Sequence, residues 1–310
     1  MLRAPVVRCA DGRRERALHG SDLWPTRGED VNDRQSQYLY LHRAGRGRDF
    51  PRDATRLAFR SVLLVGFVSG CTELPGSAVK ELDDAAAEYR AQRYDAAMSR
   101  LDKILHDYPE QKGCEEAYYL RALCRVGQSN KTAAMTDALA CLKYSQQQVL
   151  TAKAHALAGA LLYETGRTSD ALPHLAAALR ARPDAPAADL VRYQYAVCLQ
   201  RLGRWREAKA EFTAVSGRYP QSTVAEFSRR ARDWPHEFFS IQCGAHRDQA
   251  AAAKLKETLT KAGLSARIET RQVSGEQLYL VYVGQYAGYE QAQAAVAGVQ
   301  RKVSGAMVVP

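Results

Sequence analysis

The sequence predicts a run of helical repeats followed by a small α+β domain. Two observations lead to this prediction. Small and apolar residues recur every 37 residues between residues 78 and 232, which is typical of a repeated helix-turn-helix unit. From Phe239 onward, stretches of apolar and polar alternation enclose two helical patterns, which is typical of a small mixed domain. A third observation, an apolar run that ends at Cys71, concerns the part of the chain before the repeats.

The 37-residue period is carried by paired small residues. The first series is Ala85, Ala122, Gly159 and Ala196, and the second, twelve residues later, is Ala97, Ala134, Ala171 and Ala208. Small side chains let two helices approach closely, so each pair predicts a helix crossing. Larger apolar residues follow four and seven positions later, at Leu101, Ile104, Leu175, Phe212 and Val215. Proline ends the second helix in three of the four units, at Pro109, Pro183 and Pro220.

The third and fourth units resemble the tetratricopeptide repeat. The matching residues are Gly159, Tyr163, Gly166, Ala171, Leu175, Ala178 and Pro183, then Gly203, Trp205, Ala208, Phe212 and Pro220. The resemblance covers residues 78–232 and implies an α-helical solenoid of four units. It also implies a concave surface that binds a protein or peptide partner.

The cysteine, histidine and acidic residues within the repeats do not indicate a catalytic or metal-binding site. Cys124 and Cys198 share one core phase of the repeat, where a free thiol packs as a small apolar group. His106, His155 and His174 are assigned to separate repeats and to ordinary surface or interhelical positions. Glu115 and Glu116 are expected at a helix start, and other acidic residues on solvated faces.

Residues 233–310 form the predicted second domain. Alternation around Phe239–Cys243 indicates a first strand, and a helical pattern with Gly263 as its stop follows. Residues 264–273, 278–283 and 306–309 indicate three further strands, with a second helix before the last. The order βαββαβ predicts a ferredoxin-like (RNP-like) domain, with an antiparallel four-stranded sheet and both helices on one face.

Two strand motifs identify a family for this domain. Ile241-Gln242-Cys243-Gly244-Ala245 and the segment 279–286 resemble the strands of the SPOR domain. The resemblance spans residues 236–310. It implies binding of peptidoglycan glycan strands that have lost their stem peptides.

Strand alternation assigns the two faces of the sheet. Residues predicted to point toward the helices are Ile241, Cys243, Tyr279, Val281 and Val283. The other face is predicted to be open, and the expected glycan-binding residues are Ser240, Gln242, Ala245, Leu278, Leu280 and Tyr282. The resemblance places Gln242 in the glycan-contacting region, with Ala245, Leu278 and Leu280 near the groove. Cations expected to attract the lactyl carboxylates of stripped glycan are Arg267, Arg271, Arg301 and Lys302.

The apolar run Ser61–Val68 is too short to span a bilayer, which takes about 20 apolar residues. It ends in Val68-Ser69-Gly70-Cys71, a tetrad that resembles a bacterial lipobox. This predicts a lipoprotein signal peptide at 57–70, a lipid on Cys71 and a flexible tether at 71–77. The alternative is a buried strand that ends in cysteine.

Residues 1–56 are rich in Arg, contain no Lys and show no sustained helical or strand period. One interpretation is a misassigned start, with translation beginning at Leu57. The other is a disordered basic extension.

The net charge of +10 lies partly in this first segment, and no stripe of Lys and Arg with interleaved aromatics follows. Nucleic acid is therefore not expected as a partner. The five cysteines after Cys71 show no CxxC spacing, and no catalytic or phosphate-binding motif is present. The sequence accordingly predicts no enzyme, no metal site and no cofactor.

Together these patterns predict a non-enzymatic lipoprotein of the cell envelope. Lipid at Cys71 would anchor it to a membrane, with the outer membrane favoured, because Thr72 is not the aspartate that retains lipoproteins at the inner membrane of enteric bacteria. The repeats would bind a protein partner and the last domain denuded glycan, in cell division or wall remodelling. The alternative is an assembly scaffold for outer-membrane proteins, in which the repeats bind client peptides and the last domain is a wall tether.

Overall fold

The computed structural model describes residues 73–310, apart from residues 186 and 274, and two short paired strands near the N-terminus. Those strands are β1 (Val7–Arg8) and β2 (Arg14–Glu15). The predicted signal peptide, the lipid site at Cys71 and the rest of the basic segment lie outside the described residues.

Helices of the repeat region follow the predicted period. They are α1 (Gly76–Arg90), α2 (Tyr94–Asp107), α3 (Cys114–Gly127), α4 (Lys131–Tyr144), α5 (Gln148–Glu164), α6 (Thr168–Ala181), α7 (Ala188–Arg201), α8 (Trp205–Arg218) and α9 (Ala225–Arg232). The second helix of each pair starts and ends 37 residues after its predecessor, including α4, which no proline terminates. The helical repeat prediction is confirmed, with α9 as an additional short helix.

Small residues at the predicted crossings are buried in every pair. Ala85 and Ala97 are fully buried in the first pair, and Gly159 and Ala171 in the third. The approach is close at Gly159, where a Cβ atom would lie 2.7 Å from the Leu175 side chain. Any side chain at this position therefore requires the two helices of the third pair to move apart.

Each helix pair turns through a residue with left-handed backbone. These residues are Gln92 (φ 61°), Ser129 (φ 62°), Gly166 (φ 78°) and Gly203 (φ 77°), again 37 residues apart. Glycine takes this conformation without steric cost, whereas an L-residue with a side chain is strained by about 1–2 kcal/mol. The first two turns therefore carry strain that the last two lack.

Polar pairs across the helices share one phase of the repeat. Glu81 contacts Arg100, His155 contacts His174 and Arg192 contacts Glu211, each pair 19 residues apart. The corresponding position in the second pair is Asp137, whose partners are Arg121 and Arg125. His155 and His174 thus belong to one helix pair, so their assignment to separate repeats was wrong.

Some acidic residues are buried, contrary to the expectation of solvated faces. The Asp137 side chain is 2% exposed, and its Oδ1 lies 2.8 Å from Arg121 Nη2. Glu115, at the start of α3, is also buried, and its Oε2 accepts a hydrogen bond of 2.7 Å from the Gly113 backbone. Both carboxylates hold local structure through these bonds.

The residues before α1 are more ordered than a tether. Leu74 is buried against Ala78 and Leu101, and its backbone N–H donates to the Lys112 carbonyl. Lys112 Nζ also lies 2.6 Å from Glu73 Oε1. Residues 73–77, which were predicted as part of the tether, are therefore ordered, because burial of Leu74 fixes this part of the chain.

The C-terminal domain contains strands β3 (Phe239–His246), β4 (Ala266–Val273), β5 (Glu276–Tyr286) and β6 (Met307–Val309) with helices α10 (Gln249–Lys261) and α11 (Tyr289–Gln300). The sheet order is β4-β5-β3-β6 and each neighbouring pair is antiparallel. The βαββαβ prediction is confirmed. Asp248 caps α10 by accepting from two backbone N–H groups, and Gly263 ends that helix with φ 80°.

The chain divides into two compact units. In the described part, one contains residues 73–165 and 173–188, and the other contains 166–172 and 189–310. The last helix pair therefore belongs with the C-terminal domain. Trp205 at the start of α8 packs on Phe239 of β3, with ring centroids 4.9 Å apart, and Arg201 lies over the Tyr289 ring. Among the described helices, none is long and apolar enough to cross a membrane.

Candidate glycan-binding face of the C-terminal domain

The two central strands, β3 and β5, divide their side chains between two faces as alternation predicts. Ile241, Cys243, Val281 and Val283 are buried against α10 and α11, and Tyr279 packs partly against them. The helix-facing assignment is confirmed. The opposite face carries Leu278, Leu280 and Tyr282 from β5.

An irregularity in β3 brings Ala245 onto this second face. Gln242 pairs with Tyr282, but Gly244 pairs with Val281, so one extra residue of β3 lies between the two pairs. Such a bulge reverses the side-chain alternation that follows it. Ala245 consequently lies opposite Leu280 and packs with the apolar residues of the second face.

All six residues expected to bind glycan meet on this face, but the prediction that the face is open was wrong. Leu278, Leu280 and Tyr282 are at most 1% exposed, Gln242 is 2% exposed and Ser240 is fully buried. Ala245 is buried as well. The alternation identified the correct side of the sheet and could not show what packs against it.

A short stretch of chain between α9 and β3 lies against this face. Residues 234–238, called here the crossing segment, contribute Trp234, which packs edge-on against Tyr282 with ring centroids 5.9 Å apart. His236 Nε2 lies 2.9 Å from Glu269 Oε1 of β4, and the rings of His236 and Phe238 stack at 4.6 Å. The Trp234 indole N–H also donates a hydrogen bond to the Phe238 carbonyl, which links the two ends of the crossing segment.

Two arginines of β4 link the sheet to the crossing segment. Arg267 lies over the rings of both Tyr282 and Phe238, and donates to Ser240 Oγ and to the Gly284 carbonyl, each at 2.8 Å. Arg271 lies over the Trp234 ring at 5.0 Å. Of the four cations expected to attract glycan carboxylates, these two are on the predicted face.

Arg301 and Lys302 are placed elsewhere. Both are exposed in the turn that follows α11, the helix that packs on the opposite side of the sheet. The structure does not bring them together with the six predicted residues.

Three polar atoms on the face have no hydrogen-bond partner. They are Oε1 and Nε2 of Gln242 and the hydroxyl oxygen of Tyr282, all buried. Burial raises the pKa of Tyr282 to about 12, so its hydroxyl is neutral and able to donate near neutral pH. Leaving a buried donor or acceptor unpaired costs about 1–3 kcal/mol, and polar groups of this kind are normally paired in native proteins.

Comparisons with known proteins identify the two parts of the chain. Residues 162–228 match the tetratricopeptide repeat family, and residues 235–310 match the SPOR domain family. The C-terminal domain is a SPOR domain. Tetratricopeptide repeats precede it, and both are non-catalytic binding modules.

Several solved structures are similar to about half of the chain. The chain is 19% identical to YrrB, described as a TPR protein with an unusual peptide-binding site, over 52% of this chain and 80% of that one, with a TM-score of 0.44. A structure of MamA from MSR-1 is 20% identical over 50% of this chain and 83% of that chain, with a TM-score of 0.42. The apo form of RapI is 15% identical over 50% and 45%, also at 0.42. No curated protein matches the chain.

The SPOR face combines polar and apolar side chains. An amide and two hydroxyls lie beside flat apolar side chains, which is the combination that pairs with N-acetyl groups, ring hydroxyls and sugar C–H faces. Arg271 adds positive charge at one edge, where Arg267 is paired with Glu269, its Nε 2.8 Å from Glu269 Oε1. In the described part of the chain, no three His, Cys, Asp or Glu residues are grouped to hold a metal ion.

The residues that cover the face were not predicted from the sequence. Trp234, His236 and Phe238 repeat every second position immediately before β3, the spacing of an extended chain with one face buried. This alternation could have predicted that the segment packs with one side against the sheet. Glu269, the partner of His236 on β4, had no signal, because its role depends on a contact 33 residues away in the sequence.

Proposed function

We propose that this protein is a non-enzymatic adaptor of the bacterial cell envelope. Its SPOR domain binds peptidoglycan glycan strands that have lost their stem peptides, and its helical repeats bind a protein or peptide partner. SPOR domains occur in cell-envelope proteins and bind peptidoglycan, and tetratricopeptide repeats mediate protein interactions. Denuded glycan is produced where amidases cut the wall, so the adaptor acts in cell division or wall remodelling.

The observation that supports glycan binding is the unpaired amide of Gln242 beside the unpaired hydroxyl of Tyr282. An amide side chain offers two donors and two acceptor lone pairs, which match both the N–H and the C=O of an N-acetyl group. Leu278 and Leu280 supply the apolar surface against which a sugar ring packs. Arg271 lies where an anionic lactyl group would be attracted, whereas the neighbouring Arg267 is already paired with Glu269.

The direct test is pull-down of the full chain by purified wall sacculi, before and after amidase treatment. Binding should rise after treatment and fall at least about tenfold in Gln242→Ala, equivalent to about 1.4 kcal/mol. Gln194→Ala is the matched control, since Gln194 in α7 is also buried with both side-chain polar atoms unpaired but lies outside the face. Equal binding by both variants and the wild type would contradict the proposal.

We further propose that a lipid on Cys71 anchors the chain to a membrane, on the periplasmic side and in the outer membrane. The support is the sequence pattern of residues 57–71 alone. Metabolic labelling with a radioactive fatty acid tests it, because Cys71→Ser should abolish incorporation and Cys9→Ser should not. Label retained in Cys71→Ser would contradict the anchor.

The scaffold alternative makes a different prediction for the same variant. If the repeats bind outer-membrane precursors and the SPOR domain is only a tether, Gln242→Ala leaves cellular localisation unchanged. Loss of localisation in that variant would favour the glycan adaptor.

A further inference from the structure

The residues best suited to bind glycan are inaccessible in this structure. Gln242 is 2% exposed and Tyr282 fully buried, and the crossing segment places Trp234 directly against the Tyr282 ring. A sugar ring needs the space that the Trp234 indole occupies. The crossing segment and a glycan strand therefore exclude one another on this face.

The crossing segment is held by a partly exposed polar pair and by a buried aromatic ring. His236 and Glu269 form a partly exposed pair, with side chains 28% and 22% exposed. Trp234 is 1% exposed and packs with Leu278, Leu280 and Tyr282 in the apolar cluster of the face, beneath the Arg271 cation, so opening exposes apolar surface that a sugar ring would cover again. These contacts also leave three buried polar atoms unpaired, which weakens the closed arrangement relative to one in which water or ligand reaches them.

We propose that residues 234–238 are an autoinhibitory lid on the SPOR domain, and that denuded glycan binds only when this lid leaves the face. The inference rests on the glycan-binding function proposed above. It adds a regulatory step to that function. Because α9 ends at Arg232, two residues before Trp234, the lid is joined directly to the last helix of the repeat region. A partner that displaces α9 would open the lid.

If glycan binds only to molecules with an open lid, the apparent affinity equals the affinity of the open form multiplied by the fraction of molecules that are open. If the lid is open in about one molecule in ten, a variant that keeps it open binds about tenfold more tightly. Trp234→Ala removes the ring that contacts Tyr282 and the face that Arg271 covers. We expect its dissociation constant for amidase-stripped glycan strands to be about tenfold lower than that of the wild-type full chain.

A second variant guards against misfolding of Trp234→Ala. His236→Ala removes the pair with Glu269 from a partly exposed position, and should tighten binding in the same direction by a smaller factor. Glu237→Asp is the matched control, because Glu237 is exposed in the same segment and its charge is retained. Circular dichroism spectra should coincide for all four proteins.

Hydrogen exchange of backbone amides tests the lid in the wild-type chain, without any substitution. On addition of stripped glycan strands to the wild-type chain, the backbone amides of residues 236–238 should exchange faster while those around Gln242 exchange more slowly. Slower exchange in both regions would overturn the lid, since the crossing segment would then be part of the binding site.

The outcomes separate the lid from the function on which it rests. Tighter binding by Trp234→Ala that is lost again in Trp234→Ala/Gln242→Ala supports the lid. Wild-type binding that depends on Gln242 but is not strengthened by Trp234→Ala or His236→Ala overturns the lid and leaves glycan binding intact. No binding by the wild type or by any variant overturns both.

Discussion

Replacing Asp137 should destabilise the repeat region more than replacing any exposed carboxylate. Asp137 is a buried acceptor with three nitrogen contacts: Arg121 Nη2 at 2.8 Å, Arg121 Nε at 3.0 Å and Arg125 Nη1 at 2.8 Å. In Asp137→Ala both guanidinium groups stay largely buried, with 16% and 21% exposure, and lose this partner. Desolvated charge without a counter-charge is the reason that broken buried pairs are costly.

The expected cost is about 3 kcal/mol, the lower end of the 3–5 kcal/mol range for buried pairs, because Arg121 keeps a second partner in Asp102 at 2.7 Å. For a region of 150–250 residues, each kcal/mol lowers the melting temperature by about 2–4 °C, so a loss of about 6–12 °C should follow. Urea unfolding followed by circular dichroism measures the free energy, and a thermal scan measures the shift.

Asp102→Ala is the control for this measurement. Asp102 binds the same arginine but is 55% exposed, so its removal should cost less than about 1 kcal/mol. If the two variants lose equal stability, or if Asp137→Ala loses less than about 1 kcal/mol, burial does not set the strength of this pair.

Three further changes test the repeat region. Ser129→Gly should raise the free energy of unfolding by about 0.5–1 kcal/mol. The change removes left-handed backbone strain of about 1–2 kcal/mol, but it also costs about 0.5–1 kcal/mol because glycine loses more conformational entropy on folding. Gly166→Ala introduces the same strain and should lower stability by about 1 kcal/mol in the same urea titration; equal effects would contradict this reasoning. Burial lowers the pKa of His155, and the neighbouring His174 lowers it further. Because the unfolded chain then binds more protons than the folded chain, the free energy of unfolding should fall as the pH drops below about 6.5. His155→Gln should flatten this loss between pH 7 and 5, and an unchanged slope of the urea midpoint against pH would show that His155 does not titrate in this way.

Much of the fold was predictable because one spacing controls it. The 37-residue period located the helix crossings and the core residues, and the three prolines marked the ends of α2, α6 and α8. The same period also places Glu81, His155 and Arg192 at equivalent positions, each facing a partner 19 residues on. These polar pairs were missed because only small and apolar positions were compared between units.

The sequence predicted which residues share the candidate face, but it did not predict that these residues are buried. Alternation assigned Gln242, Leu280 and Tyr282 to one face, and the structure places them there. Whether that face is open depends on Trp234, whose packing on Tyr282 is a tertiary contact between segments 48 residues apart. The bulge in β3 likewise follows from pairing with β5 and not from the sequence of β3 alone.

The buried thiols of this chain have a consequence for thiol–disulfide exchange. Cys124, Cys141, Cys198 and Cys243 are free, and burial raises the pKa of each to about 12, with that of Cys114 raised to about 11. At pH 7 a pKa of about 12 leaves roughly one thiolate in 10⁵, against a few per cent for an exposed cysteine of pKa about 8.5. Since only the thiolate attacks an oxidant, the folded chain is protected in an oxidising compartment and the unfolded chain is not. For the exported chain proposed above, it follows that the repeats and the C-terminal domain have to fold before these cysteines meet an oxidant.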